Sequence, residues 1–276
     1  MELLNPSPAP ILPRTMWVLY RALMSTPGMT RRELTEAVCP STMRDETPSN
    51  GAHINRALDA LIRYELVTID ESSDSETQIL AAAQDTSAQA FVRRVRWRML
   101  TASQGVEPPP EDLRRGAAWL LTQPPQKRLD QRTADHEVPG LFINDTRWNT
   151  FTYWATFLGL GREWPLEPGG LSVDPTHAVA DVIRSSSLWH IGEDGMALEL
   201  ESLVQFVETE LPLIAGAHFG AEHDVSHALA HAFRSLGSKG LLTFERRSDA
   251  RSVVRFPPLP GATEEMYSHV LVRMDV

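Results

Sequence analysis

The sequence predicts a mainly α fold with small β-hairpins, an α+β chain in which two similar modules flank a helical middle region. Three observations carry that expectation. The first is an internal repeat: residues 54–69 (INRALDALIRYELVTI) and 229–244 (LAHAFRSLGSKGLLTF) match at a constant offset of 175 positions. Ile54, Ala57, Leu58, Leu61, Leu66, Val67 and Ile69 fall on Leu229, Ala232, Phe233, Leu236, Leu241, Leu242 and Phe244. The second is periodicity. Apolar residues at i, i+3, i+4 and i+7, then a polar break and a short apolar run, describe a helix running into a strand. The third is punctuation, with Gly237 and Gly240 placed where a helix must turn into a strand and Pro257, Pro258 and Pro260 where strand must stop. Together these predict a winged helix-turn-helix at each end, its third helix ending where its wing begins.

The elements follow in order. Three prolines in the first dozen residues, Pro6, Pro8 and Pro10, exclude a helix there and leave an extended arm, with Pro13 leading into a helix over 14–25 that Pro27-Gly28 ends. Thr30 stands three residues before Glu33, the spacing of a capping box, and opens a second helix to about Val38. A polar loop over 39–50 precedes the third helix, 51–64, the strand 66–69 and a return strand 77–80. The middle holds helices over 88–101 and 111–121, separated by a triple proline. A further helix is capped by Asn144 or Asp145, with Trp148, Phe151, Ala155 and Leu158 on one face. The second module reads as helices over 175–188, 198–210 and 224–236, then a hairpin of strands 241–246 and 252–256 around a polar turn. The expected domains are 1–87, the first winged helix with its arm, 88–170, a helical connecting domain, and 171–276, the second winged helix.

Composition narrows the classes of function. A 276-residue chain of 42% hydrophobic and 22% charged residues is long enough for two or three globular domains. It has no run of about 18 apolar residues and no basic, apolar leader at its start, so a cytoplasmic protein without membrane contact is expected. Cys39, the one cysteine, can form neither an internal disulfide nor a zinc knuckle. A net charge of −10 works against a simple DNA-binding protein, yet the charge is segregated. Arg93, Arg94, Arg96 and Arg98 cluster, as do Arg246, Arg247, Arg251 and Arg255, while Asp70, Glu71, Asp74 and Glu76 form an acidic block.

With the core positions of the second repeat removed, His227, His231 and Arg234 share the outer face of its helix, with Ser226 nearby. That is the face a recognition helix offers the major groove, where Arg can pair with guanine and Ser or His can meet phosphate or base edges. The neighbouring wing supplies Arg246, Arg247 and Arg251 for phosphate or minor-groove contact. The bland alternative is a solvated face of a protein-interaction module. In the first copy Asn55, Arg56 and Arg63 lie outward, with Ser49 and Asn50 at the helix entrance, but the wing is acidic and would repel phosphate. The run VRRVRWR at 92–98 either tracks a nucleic-acid backbone with Trp97 as stacking surface or is the cationic face of a connecting helix. His223, His227 and His231 recur every four residues, near His218. Three along one helix span about 12 Å, too far for one ion, and no HExxH is present. No nucleophile–base pair, carboxylate pair, dinucleotide loop or zinc constellation stands out, so no catalytic residue, cofactor or metal is expected.

The segments LLNPSPAP and ILPRTMWVLYRAL near the start, FINDTRWNTFTYWATFLGLG in the middle and SHALAHAFRSLGSKGLLTFERRSDARSVVRF near the end resemble the DpdG proteins, over nearly the whole chain. That resemblance implies a place in bacterial islands that insert 7-deazaguanine bases into DNA and restrict unmodified DNA. The family is an accessory component without an assigned catalytic motif, so no catalytic residues carry over. The expectation is a non-enzymatic DNA-engaging or assembly subunit of such a DNA-modification and phage-defence system, with double-stranded DNA and other defence proteins as partners. A stand-alone winged-helix transcription regulator is one alternative, and an acidic protein-binding scaffold partnering an ATPase is another.

Overall fold

In the computed structural model, the described residues are 2–5, 10–39, 51–70, 78–81, 87–101, 107–186, 197–215, 225–259, 261 and 263–273. The chain is mainly helical with small antiparallel sheets, and it falls into two compact units. Unit 1 comprises Met1–Arg114 and Gln131–Phe157, and unit 2 comprises Arg115–Asp130 and Leu158–Val276. Neither is a simple stretch of sequence. Of the middle region expected over 88–170, part is built into each unit.

Unit 1 runs α1 (Pro13–Ser25), β1 (Met29–Thr30), α2 (Arg31–Val38), α3 (Ala52–Arg63), β2 (Val67–Asp70), β3 (Gln78–Ala81) and α4 (Ala88–Leu100), then the start of α5 (Glu111–Thr122), α6 (Gln131–Glu137) and α7 (Asp145–Phe157). Local chemistry fixes the starts. Pro13 sits in the first turn of α1, where its missing N–H costs nothing. Thr30 accepts from the Glu33 amide at 3.2 Å while the Glu33 carboxylate accepts from the Thr30 amide at 2.9 Å, the capping box in full. Those bonds hold the Glu33 carboxyl below its ordinary pKa. Asn144 Oδ1 caps α7 through the Arg147 amide at 2.9 Å. The core is formed where α1 packs on α3, with Leu19, Tyr20, Leu23, Leu58 and Leu61 fully buried. The arm is anchored: Leu3, Leu4 and Ile11 are fully buried, Trp154 donates to the Ile11 carbonyl at 2.9 Å, and Asp112 accepts the Leu4 amide at 2.6 Å.

Unit 2 holds the rest of α5, β4 (Gly161–Glu163), β5 (Leu171–Val173), α8 (Thr176–Ser185), β6 (Leu198–Glu199), α9 (Leu200–Glu210), a 3-10 turn (Pro212–Ala215), α10 (His227–Ser238), β7 (Leu242–Glu245), β8 (Val254–Phe256), β9 (Glu265–Tyr267) and β10 (His269–Val272). Gly159, at φ +71°, brings its backbone against α8: its carbonyl accepts from Ala178 at 3.3 Å, and a Cβ there would stand 3.1 Å from that amide nitrogen. Only glycine fits.

The repeat seen in the sequence is a repeat of structure. α3 and α10 begin and end at positions 175 apart, and so do β2 and β7. Ile54, Ala57, Leu58, Leu61, Leu66 and Val67 are buried, as are their six counterparts in unit 2. Both units run helix, short strand, helix, helix, strand, return strand, and both sheets place the return strand centrally, in the orders β1-β3-β2 and β6-β10-β7. The registers correspond too. Val67 pairs Ala81 as Leu242 pairs Val272, and Thr30 pairs Gln78 as Glu199 pairs His269.

Several expectations are corrected. The strand at 252–256 does not return along β7; β8 pairs β9, and β7 takes β10 as its partner. The second copy therefore carries an inserted β8–β9 hairpin between β7 and β10. The segment 198–210 is not helical throughout, because Leu198 and Glu199 extend to pair with β10 before α9 starts. The α8 helix stops at Ser185, and α10 starts at His227 rather than at 224. The α6 helix and the β4–β5 hairpin have no counterpart in the sequence reading. Ser49, Asn50, Glu71, Asp74, Glu76, His218 and His223 lie outside the described residues.

Candidate nucleic-acid interface

The α10 helix owes its position to a buried apolar face and a buried cap. Phe233 is fully buried, with the rings of Phe256 and Phe244 at 6.0 and 6.1 Å, and Tyr267 of β9 completes the cluster at 5.2 Å from Phe244. The inserted hairpin thus packs an aromatic layer over the helix and β7.

That packing changes the meaning of the outer face. Ser226, expected to meet phosphate or base edges, is only 3% exposed: its Oγ accepts from the Leu229 amide at 3.1 Å and donates to the Ile214 carbonyl at 2.9 Å. It is the N-cap of α10. Arg234, expected to reach guanine, donates Nη2 to the Pro257 carbonyl at 2.6 Å and Nε to the Glu265 carboxylate at 3.0 and 3.3 Å, and its guanidinium lies over the Phe256 ring at 5.5 Å. Its donors serve the inserted segment. His231 Nε2 stands 3.7 Å from Asp174 Oδ1, and Arg162 Nε stands 3.8 Å from the other oxygen of that carboxylate. Burial pulls the His231 pKa below 6.5, outweighing the pull of Asp174 in the other direction. His227 is half-buried at the first position of the helix.

The turn after β7 is different. Arg246, Arg247 and Arg251 are all exposed, on a turn closed by the Ala250 amide on the Arg247 carbonyl at 3.4 Å. The Arg247 side chain is held to Glu245 at 2.9 Å. Arg246 and Arg251 have no ion-pair partner among the described residues. Arg255, on β8, pairs Glu264 at 2.9 Å. The backbone anchors the turn: the Arg247 amide donates to Ser268 Oγ at 2.9 Å.

In unit 1 the expected contact residues are engaged locally. Arg31 of α2 reaches across to Asp59 at 2.6 Å and to Asn55 Oδ1 at 3.4 Å. Arg56 donates to the Asn5 carbonyl of the arm at 3.3 Å, and Arg63 is bound to Glu107. In the arginine run, Arg96 is buried, Arg94 donates to the Tyr20 hydroxyl at 2.7 Å and Arg98 pairs Glu65 at 2.8 Å. These partners lie 24 to 74 positions away in the chain, where local pattern carries no signal. The cap at Ser226 was signalled by residue type, but placing the helix start at 224 hid it.

Among the described residues no group of three His, Cys, Asp or Glu side chains is arranged to hold a metal ion, and no helix is long and apolar enough to cross a membrane. What the fold and this surface define is a mainly helical protein of two units sharing one repeated module, with a cationic turn on the second. The chain belongs to the DpdG-like family, whose model matches residues 1–250. No curated protein and no solved structure matches it.

Proposed function

We propose that the protein is a non-enzymatic, DNA-engaging assembly subunit of a bacterial DNA-modification and phage-defence system, and that each unit is a winged helix whose wing is the β2–β3 or β7–β10 connection. Membership in the DpdG-like family supports the system. The shared element order, strand order and register support the winged-helix reading. One observation carries the DNA contact: Arg246 and Arg251 are exposed on an anchored turn without ion-pair partners among the described residues. Unpaired cations on a surface are what a phosphate backbone recruits.

The contact is with backbone, and it is made by the wing. Helix-face residues Ser226 and Arg234 are spent on the fold, and Asn55, Arg56 and Arg63 each hold a partner in unit 1. A base-reading regulator needs such side chains facing outward. The test is equilibrium binding of the full chain to two unrelated duplexes of equal length. Equal affinity for both, reduced equally in an R246A/R247A/R251A variant, is expected; a strong preference for one duplex that the variant retains would overturn the reading.

The assembly role has a separate support, that the side chains expected to read bases, Asn55, Arg56, Arg63, Ser226 and Arg234, each hold a partner within their own unit. Affinity purification from the native host, with mass spectrometry, tests it. Recovery of DNA-modification or restriction proteins in stoichiometric amount is expected, and recovery of the protein alone would refute an assembly role.

A further inference from the structure

Two adjoining helices of unit 1 carry six arginines and not one acid. In α1 these are Arg14 and Arg21, and in α4 Arg93, Arg94, Arg96 and Arg98, in a chain whose net charge is −10. The helices meet through Trp17, Tyr20 and Phe91, with ring centroids 5.1 and 4.8 Å from Phe91. Three guanidinium groups of these helices lie over aromatic rings: Arg21 over Trp17 within α1 at 5.8 Å, Arg94 over Tyr20 across the junction at 5.2 Å and Arg98 over its neighbour Trp97 within α4 at 5.1 Å. Arg14 and Arg21 stand seven residues apart on the exposed face of α1 and have no ion-pair partner among the described residues. Trp97 is 40% exposed, in a helix where Phe91, Val95, Met99 and Leu100 are buried. Arg98 pairs with Glu65 at 2.8 Å.

We infer that the α1/α4 surface is a second nucleic-acid site, for single-stranded nucleic acid, formed by the exposed Arg14 and Arg21 of α1 and the stacking surface of Trp97 on α4. Cations along a ridge follow a phosphodiester backbone, and an exposed indole beside a guanidinium stacks an unpaired base without regard to its identity. A duplex keeps its bases stacked on one another, so the exposed ring favours a single strand. The site is separate from the β7–β8 turn and stands or falls without it. For a protein working beside DNA-processing enzymes, it supplies a hold on a strand that has been opened.

The experiment is fluorescence anisotropy of the full chain with a labelled 20-nucleotide oligothymidine, over a range of salt. Trp97→Ala is expected to weaken binding about tenfold, with Trp97→Phe retaining most of it. Arg14→Ala and Arg21→Ala, both at exposed positions, should each lower the log–log salt slope by about 0.7. The loss in Trp97→Ala should persist in the R246A/R247A/R251A background, where the phosphate contact of the turn is already gone. Unchanged affinity in the Arg14, Arg21 and Trp97 variants would overturn the proposal. So would a labelled polyglutamate of equal charge that binds as tightly as the oligonucleotide and loses the same factor in Trp97→Ala, which would make the surface a dock for an acidic protein.

Discussion

Replacing Arg234 separates a recognition residue from a structural one. In Arg234→Ala the Pro257 carbonyl loses a 2.6 Å donor, the Glu265 carboxylate loses the Nε contact at 3.0 and 3.3 Å, and Phe256 loses the guanidinium over its face. Hydrogen bonds from a charged donor contribute about 1.5–3 kcal/mol, and a cation–π contact about 0.5–1 kcal/mol. The Arg234 and Glu265 side chains keep 20% and 27% of their exposure, so water recovers part of that. A net loss of about 2 kcal/mol is expected, concentrated in the inserted hairpin. Urea unfolding of wild type, R234A, E265A and the double variant forms a cycle, with a coupling energy of about 1 kcal/mol expected. Hydrogen exchange should report faster opening of residues 254–267 in each single variant. The reasoning is refuted if Arg234→Ala leaves stability and exchange unchanged while altering which duplex sequence is preferred.

Other expectations follow from the same contacts. Phe233→Ala, at a fully buried site, should cost about 3–5 kcal/mol, and Leu58→Ala, its counterpart in unit 1, about 2–5 kcal/mol, both read as a lowered urea midpoint. Ser226→Ala removes a helix cap and leaves the Leu229 amide short of an acceptor inside the unit, so about 1–2 kcal/mol should be lost with no change in duplex affinity. His231 has a folded pKa below its unfolded value of 6.5, so the unfolded chain takes up the proton first. Its contribution to stability is whole above pH 6.5 and is lost as pH falls through the lower, folded value; a His231→Gln variant should lose less stability than wild type between pH 7.5 and 5.

The repeated module was legible because its signal is local. Helix periodicity, a glycine or serine at the cap and a short apolar strand all lie within one window, and α3 with β2 and α10 with β7 sit where that pattern puts them. The partner of β7 was not legible. β10 is only four residues, His269–Val272, and lies beyond a proline-rich stretch, while the nearer apolar segment 252–256 offered an equally good strand. Choosing between them needs the aromatic layer that Phe256 and Tyr267 make over Phe244, a tertiary fact. The candidate site divides the same way. Arg246, Arg247 and Arg251 could be read as exposed from the polar turn around them, whereas the fate of Arg234 was set by Glu265, 31 positions away. An outward helical position in sequence becomes an inward one when an insertion folds over it.

The central claim, that the turn after β7 holds the phosphate backbone, is tested most directly by the salt dependence of duplex binding. Log Kobs against log salt is measured for wild type and for R246A/R247A/R251A. Each phosphate contact contributes a slope of about −0.9, so the variant's line should be shallower by about 2.7 if all three arginines engage, and the two duplex sequences should give parallel lines. Superimposable lines for wild type and variant would contradict the account.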